Sequence, residues 1–195
     1  QELYNKDPKK NNKPIKVSIP VNLRNYYESK TMRNFSSYIN VGIDTKYGNY
    51  SFEEIIKIVK NNMELNLTEK VLNAKISANV KISENYFIRL LPMFIKKYII
   101  SFTERMMGDR YSSNTLSNLG NIILPQEVEK YILDLGMAIG KSRGKPSSSA
   151  MVGYNGKVYL TITRKIKESE FERILFTTLV KMGVPVLIES NRRLS

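Results

Sequence analysis

Thr115-Leu116-Ser117-Asn118-Leu119-Gly120 sets a hydroxyl and a carboxamide side by side between apolar neighbours, with a glycine close behind. Read as a strand, it sends Leu116 and Asn118 to one face and Ser117 and Leu119 to the other. Gly120 then permits a turn that a residue with a Cβ resists. Two uncharged hydrogen-bonding groups at the end of an apolar strand suit the orientation of a carbonyl or hydroxyl substrate. The same residues also read as a plain strand end.

Downstream, residues 150–163 alternate on both sides of Asn155-Gly156, the pattern of a β-hairpin with a type I′ turn. Residues 168–182 place Phe171, Ile174, Leu175, Leu179 and Met182 on one helical face, with Gly183 as the stop. Residues 184–188 then read as a closing strand, and 191–195 as a polar tail. Between the central stretch and the hairpin, residues 125–135 predict a short helix with proline in its first turn. Residues 136–140 predict a short strand. Residues 141–149 form a loop with three cations and no acid, a resting place for a phosphate or simply a solvated loop.

Upstream, residues 14–21 alternate Ile15, Val17, Ile19 and Val21 with polar residues, a half-buried strand whose Pro20 predicts an edge position or a bulge. Arg24 follows directly, where a guanidinium fork can grip a carboxylate. Residues 35–44 predict a second strand. Ser51 and Glu54 form a capping box that starts a helix whose stripe, Phe52, Ile55, Ile56, Val59 and Met63, is expected in the core. Residues 69–80 have helical composition with a β-like tail, and a helix is expected from 85 to about 107, interrupted at Pro92. Strands and helices alternate irregularly, which predicts an α/β or α+β fold with a mixed sheet.

Composition excludes several chemistries. The chain of 195 residues has no cysteine, which removes disulfides and thiolate metal sites. It also has no histidine, so the commonest neutral-pH base and metal ligand is missing. No metal site is expected. A formal charge of +13 comes from 31 Lys and Arg against 18 Asp and Glu, spread along the chain except for a dense stretch at 6–16. Such dispersion predicts no specific nucleic-acid partner, although Tyr154 and Tyr159 beside Lys157 make one suggestive cluster. The longest apolar run, 86–102, contains Arg89, Lys96 and Lys97, too many charges for a membrane span. The opening residues are polar, with no signal run, and a cytoplasmic protein is expected. Gln1 in place of Met suggests a processed product or a fragment.

Taken together, the strand-then-arginine Ile19-Pro20-Val21-Asn22-Leu23-Arg24, the Asn34-Phe35 that follows, and Leu116-Ser117-Asn118-Leu119-Gly120 resemble the C-terminal half of a chloramphenicol acetyltransferase-like acyltransferase. The nearest branch is that of alcohol acetyltransferases and condensation domains. The resemblance spans residues 14–193, with 1–13 as a linker. It implies one lobe of a two-lobed fold that moves an acyl group from acyl-CoA or an acyl carrier protein to an alcohol or amine, with the thioester as co-substrate and no other cofactor. It places Ser117, Asn118 and Gly120 near the substrate and oxyanion, and Arg24 and Asn34 in support of the active site, Arg24 paired with an aspartate of the other lobe. The family's base is the histidine of an HxxxD motif, which this chain lacks. The resemblance therefore implies a missing N-terminal lobe, or another copy of the chain, as the completing partner. A non-catalytic scaffold or binding module is the alternative.

Overall fold

The computed structural model describes residues 14–86, 90, 92, 93, 95, 97, 98, 112–140 and 145–191. Five strands form one mixed sheet: β1 (Ile15–Asn22), β2 (Ser36–Ile43), β3 (Asn114–Asn121), β4 (Ser147–Tyr154) and β5 (Lys157–Arg164), in the order β2-β1-β3-β4-β5. The outer pairs β1/β2 and β4/β5 are antiparallel, while β3 lies parallel to both β1 and β4. Four helices whose bounds lie within the described residues accompany the sheet: α1 (Phe52–Asn66), α2 (Glu69–Glu84), the single turn α3 (Gln126–Glu129) and α4 (Glu170–Lys181). The expected mixed α+β architecture is the one observed.

Alternation sorts the two sheet faces. On one, Ile15, Val17 and Ile19 stand opposite Ile43, Val41 and Ile39, and those three β2 residues are almost fully buried. α1 packs against β2, and its start is fixed by both halves of the capping box: Ser51 Oγ accepts from Glu54 N–H at 3.2 Å, and Glu54 accepts from Ser51 N–H at 2.7 Å. Gly42 lets β1 approach β2 closely, since a Cβ there would lie 1.9 Å from the Ile15 carbonyl oxygen.

The other face is more polar, a row running Asn40, Ser18, Thr115, Ser148, Thr163 across all five strands. Residues 132–139 cross this face as a strap. The hydroxyl of Tyr154, itself 2% exposed, donates to the Ile132 carbonyl, and Thr163 Oγ1 donates to that of Ile139 at 2.8 Å. Side chains of the face thus take up strap carbonyls, so the strand expected over residues 136–140 does not form. The β4–β5 turn has Asn155 at φ 47° and Gly156 at φ 73°, as a type I′ turn requires.

Two further expectations give way. Residues 184–188 follow α4 without pairing: Pro185 has no N–H to give, and Leu187 is 89% exposed. The stripe of α1 is not core, for no residue of that helix is buried. Where α1 packs on β2, Ile55, Val59 and Met63 are half-buried, while Phe52 and Ile56 are about half exposed. The ambiguous segment from residue 69 is helical throughout α2, and Leu72 is fully buried. Of the helix expected across Pro92, the described positions between 86 and 98 are helical except Pro92. Residues 99–111, the basic stretch 6–13, the loop positions 141–144 and the tail 192–195 lie outside the described residues.

Candidate functional site

Pro20 decides where the sheet opens. The Lys16 carbonyl accepts the Ser113 N–H at 2.7 Å, so Lys16, Ser18 and Pro20 turn their backbone groups toward β3. Pro20 has no N–H to offer there, and the β1/β3 ladder stops after Val17↔Asn114 and Ser18↔Thr115. Pro20 predicted an edge position or a bulge; β1 is internal, and its pairing with β3 ends before Pro20. Beyond this point Leu23 N–H donates to the Phe35 carbonyl ahead of β2 at 3.1 Å, whereas Ile122 N–H, after β3, donates to the Gly153 carbonyl of β4 at 2.8 Å. The carboxyl ends of two adjacent parallel strands diverge, which in open α/β sheets is where ligands bind.

Arg24 and Asn34 stand on one side of this notch, Ser117, Asn118 and Gly120 on the other. Leu23–Asn25 forms a 3₁₀ turn capped by Asn22, whose Oδ1 accepts from Arg24 N–H at 3.1 Å, and Leu23 is buried beneath it. The Arg24 guanidinium reaches back along its own loop: Nη2 donates to the carbonyls of Thr31 at 2.9 Å and Arg33 at 2.8 Å. Its Nε and Nη1 have no partner among the described residues. Arg24 therefore holds main-chain carbonyls of the loop rather than a carboxylate of this chain. Asn34 Oδ1 accepts the Ser36 hydroxyl at 2.8 Å, and Tyr27 ties the loop to α2 through Asn73 at 2.8 Å.

Across the notch, Gly120 has φ 75° and its N–H donates to Asn118 Oδ1 at 2.8 Å, a turn that breaks the β3/β4 register between Asn118 and Asn121. Asn118 is exposed, and its oxygen is engaged by the turn while its amide N–H₂ has no partner among the described residues. Ser117 is half-buried and makes no hydrogen bond among the described residues. Ser117 is registered with Ala150 and Asn118 with Met151, so the two side chains point to opposite faces. They share one end of the sheet without sharing one side of it.

Other polar groups escaped the sequence reading. Asn114 is buried, donates to Ser149 Oγ at 2.7 Å and leaves its Oδ1 unbonded. Asp134 on the strap accepts from Tyr159 and from Lys157. The Tyr159 hydrogen bond, with Lys157 adding to it, holds Asp134 below the usual carboxylate range. Lys157 is raised by the charge Tyr159 carries when ionised and by Asp134, and Tyr159 is raised by Asp134. With Tyr154 in the core and Tyr159 clasped to the strap, this cluster is not a set of free stacking rings. A lone acid in an apolar stretch was the only sequence signal for Asp134. Lys145, from the basic loop, donates to Thr115 Oγ1 at 2.9 Å.

Among the described residues no group of three acidic, histidine or cysteine side chains can hold a metal, and no helix is long and apolar enough to cross a membrane. No family model, curated protein or solved structure matches the chain.

Proposed function

We propose that the chain is the C-terminal lobe of a chloramphenicol acetyltransferase-like acyltransferase, and that its notch receives the acyl thioester of acyl-CoA or a carrier protein. The observation that supports this reading is the divergence of β1 and β3 at Pro20, which brings Arg24 and the Ser117-Asn118-Gly120 turn to one end of the sheet. Ser117 Oγ and Asn118 Nδ2 are uncommitted donors at that end, on opposite faces of β3, so one of the two and not both would face a developing oxyanion. The chain's 195 residues contain no histidine, so the base that deprotonates the acceptor comes from a partner lobe.

Two measurements test this. Thiol release from acetyl-CoA and longer acyl donors, with a panel of alcohols and amines, is expected to stay at background for this chain alone. Amide resonances of residues 22–25 and 117–120 are expected to shift on adding acyl-CoA. Turnover by the purified chain removes the partner-lobe element, and shifts confined to other regions remove the notch. A specific observation favours the scaffold alternative: Arg24 and the Asn118 oxygen already serve their own loops. Under that reading no resonance at either loop responds to any thioester.

A further inference from the structure

One flank of α1 is built like an interface, its apolar residues half-buried rather than enclosed. Ile55, Val59, Met63 and Leu67 recur every four residues and, with Ile56, line an open groove of about 510 Å³. Lys60 and Glu64 form one rim. Ile56 is 51% exposed and no residue of α1 is buried, although an amphipathic helix of 15 residues ordinarily turns its stripe to a core. Neither Lys60 nor Glu64 has an ion-pair partner among the described residues.

We propose that a second copy of the chain covers this face, with two α1 helices packed antiparallel about a two-fold axis at the level of Asn61. The sequence is self-complementary in that arrangement. Ile55 meets Leu67 of the other copy and Val59 meets Met63, pairs equidistant from the axis along two helices that cross at the shallow angle of bundle packing. The axis also keeps both rims on the same side, with Lys60 of one copy and Glu64 of the other offset by two residues, roughly 3 Å along the helix. Two such pairs form, one for each copy, as an isologous contact requires. Charge selects this surface for self-association as well. In a chain of +13, α1 carries Glu53, Glu54 and Glu64 against Lys57 and Lys60, a face where two copies meet without the general repulsion. The contact does not depend on whether the chain transfers acyl groups.

Sedimentation of the full chain from low to high micromolar concentration tests the proposal. The wild type is expected to dimerise reversibly, and Val59→Glu to stay monomeric with an unchanged circular dichroism spectrum. Lys60→Glu and Glu64→Lys each replace two attractive pairs by two repulsive ones and should weaken self-association by about tenfold. Mixed in equal amounts, the two single variants regain opposite charges across the contact and should form a heterodimer as tight as the wild type. A wild type that stays monomeric overturns the proposal, whether or not α1 binds some other protein. So does a dimer indifferent to Val59→Glu, or a mixture that associates no better than its components.

Discussion

Gly42, Pro20 and Arg24 show how much a single residue decides in this sheet. A Cβ on Gly42 would meet the Ile15 carbonyl oxygen at 1.9 Å and Lys16 Cα at 2.8 Å, both backbone atoms that cannot swing aside. Gly42→Ala is therefore expected to destabilise the chain by about 2–3 kcal/mol, the upper part of the overpacking range, as a lower midpoint in urea. Arg24 has partners within its own loop, so Arg24→Ala should cost roughly 1 kcal/mol for two exposed charge-assisted bonds, with Arg24→Lys recovering part of it. Equal melts for wild type and Arg24→Ala would show that the loop holds without them. The sequence announced Arg24 as a gripping group but not what it grips, because the nearest acceptors are carbonyls, present at every residue. Pro20 was legible as a strand irregularity. That it frees only half of an internal strand depends on which way its absent N–H points, and that is fixed by pairing with a strand from the other half of the chain.

Elements governed by local chemistry were the readable ones. The capping box of α1, the Asn155-Gly156 turn and the Gly183 stop of α4, with φ 82°, all act within a few residues of the signal. Residues 136–140 and 184–188 have the composition of strands yet form none, since alternation does not reveal whether a sheet edge is open to receive it. The strap is held instead by side chains, and its clasp titrates. Asp134 is depressed on folding, so its contribution is present above the unfolded carboxylate pKa and is lost as pH falls through the lowered value. Lys157 and Tyr159 are raised, so theirs is present below their unfolded values and is lost as pH rises through the raised ones. Amide protection at residues 132–139, relative to the intrinsic exchange rate at each pH, should accordingly be highest between these limits, with the acid and alkaline losses diminished in Tyr159→Phe. A flat profile across both limbs would remove the clasp.

At the scale of the molecule, the charge of +13 is spread along the chain, with one dense stretch at 6–16 and no recognition motif. Titration with duplex or single-stranded DNA is expected to give dissociation constants of about 10⁻⁴–10⁻⁶ M that weaken steeply with salt and ignore sequence. Sequence-selective binding tighter than about 10⁻⁷ M would contradict this, lying outside the non-specific range. The candidate site was legible as an ordered set of residues, Arg24 and Asn34 first, then Ser117, Asn118 and Gly120. Its convergence at one end of the sheet was not, because it rests on the parallel pairing of β1 with β3. Nor was the turning of Ser117 and Asn118 to opposite faces recognised as a limit on a shared substrate, although the alternation itself foretold it.

The brevity of that pairing has a kinetic side. β4 and β5 are joined by a two-residue turn, and β1 and β2 are successive strands, so each pair closes a short loop and can form early. The two registered positions between β1 and β3 close the longest loop in the sheet for the fewest bonds. The halves should thus behave as separate cooperative units that zip together last and part first. Whatever occupies the notch would bridge both units, so the ligand would act on this chain as a rivet, slowing its unfolding more than its contacts with either half alone would suggest.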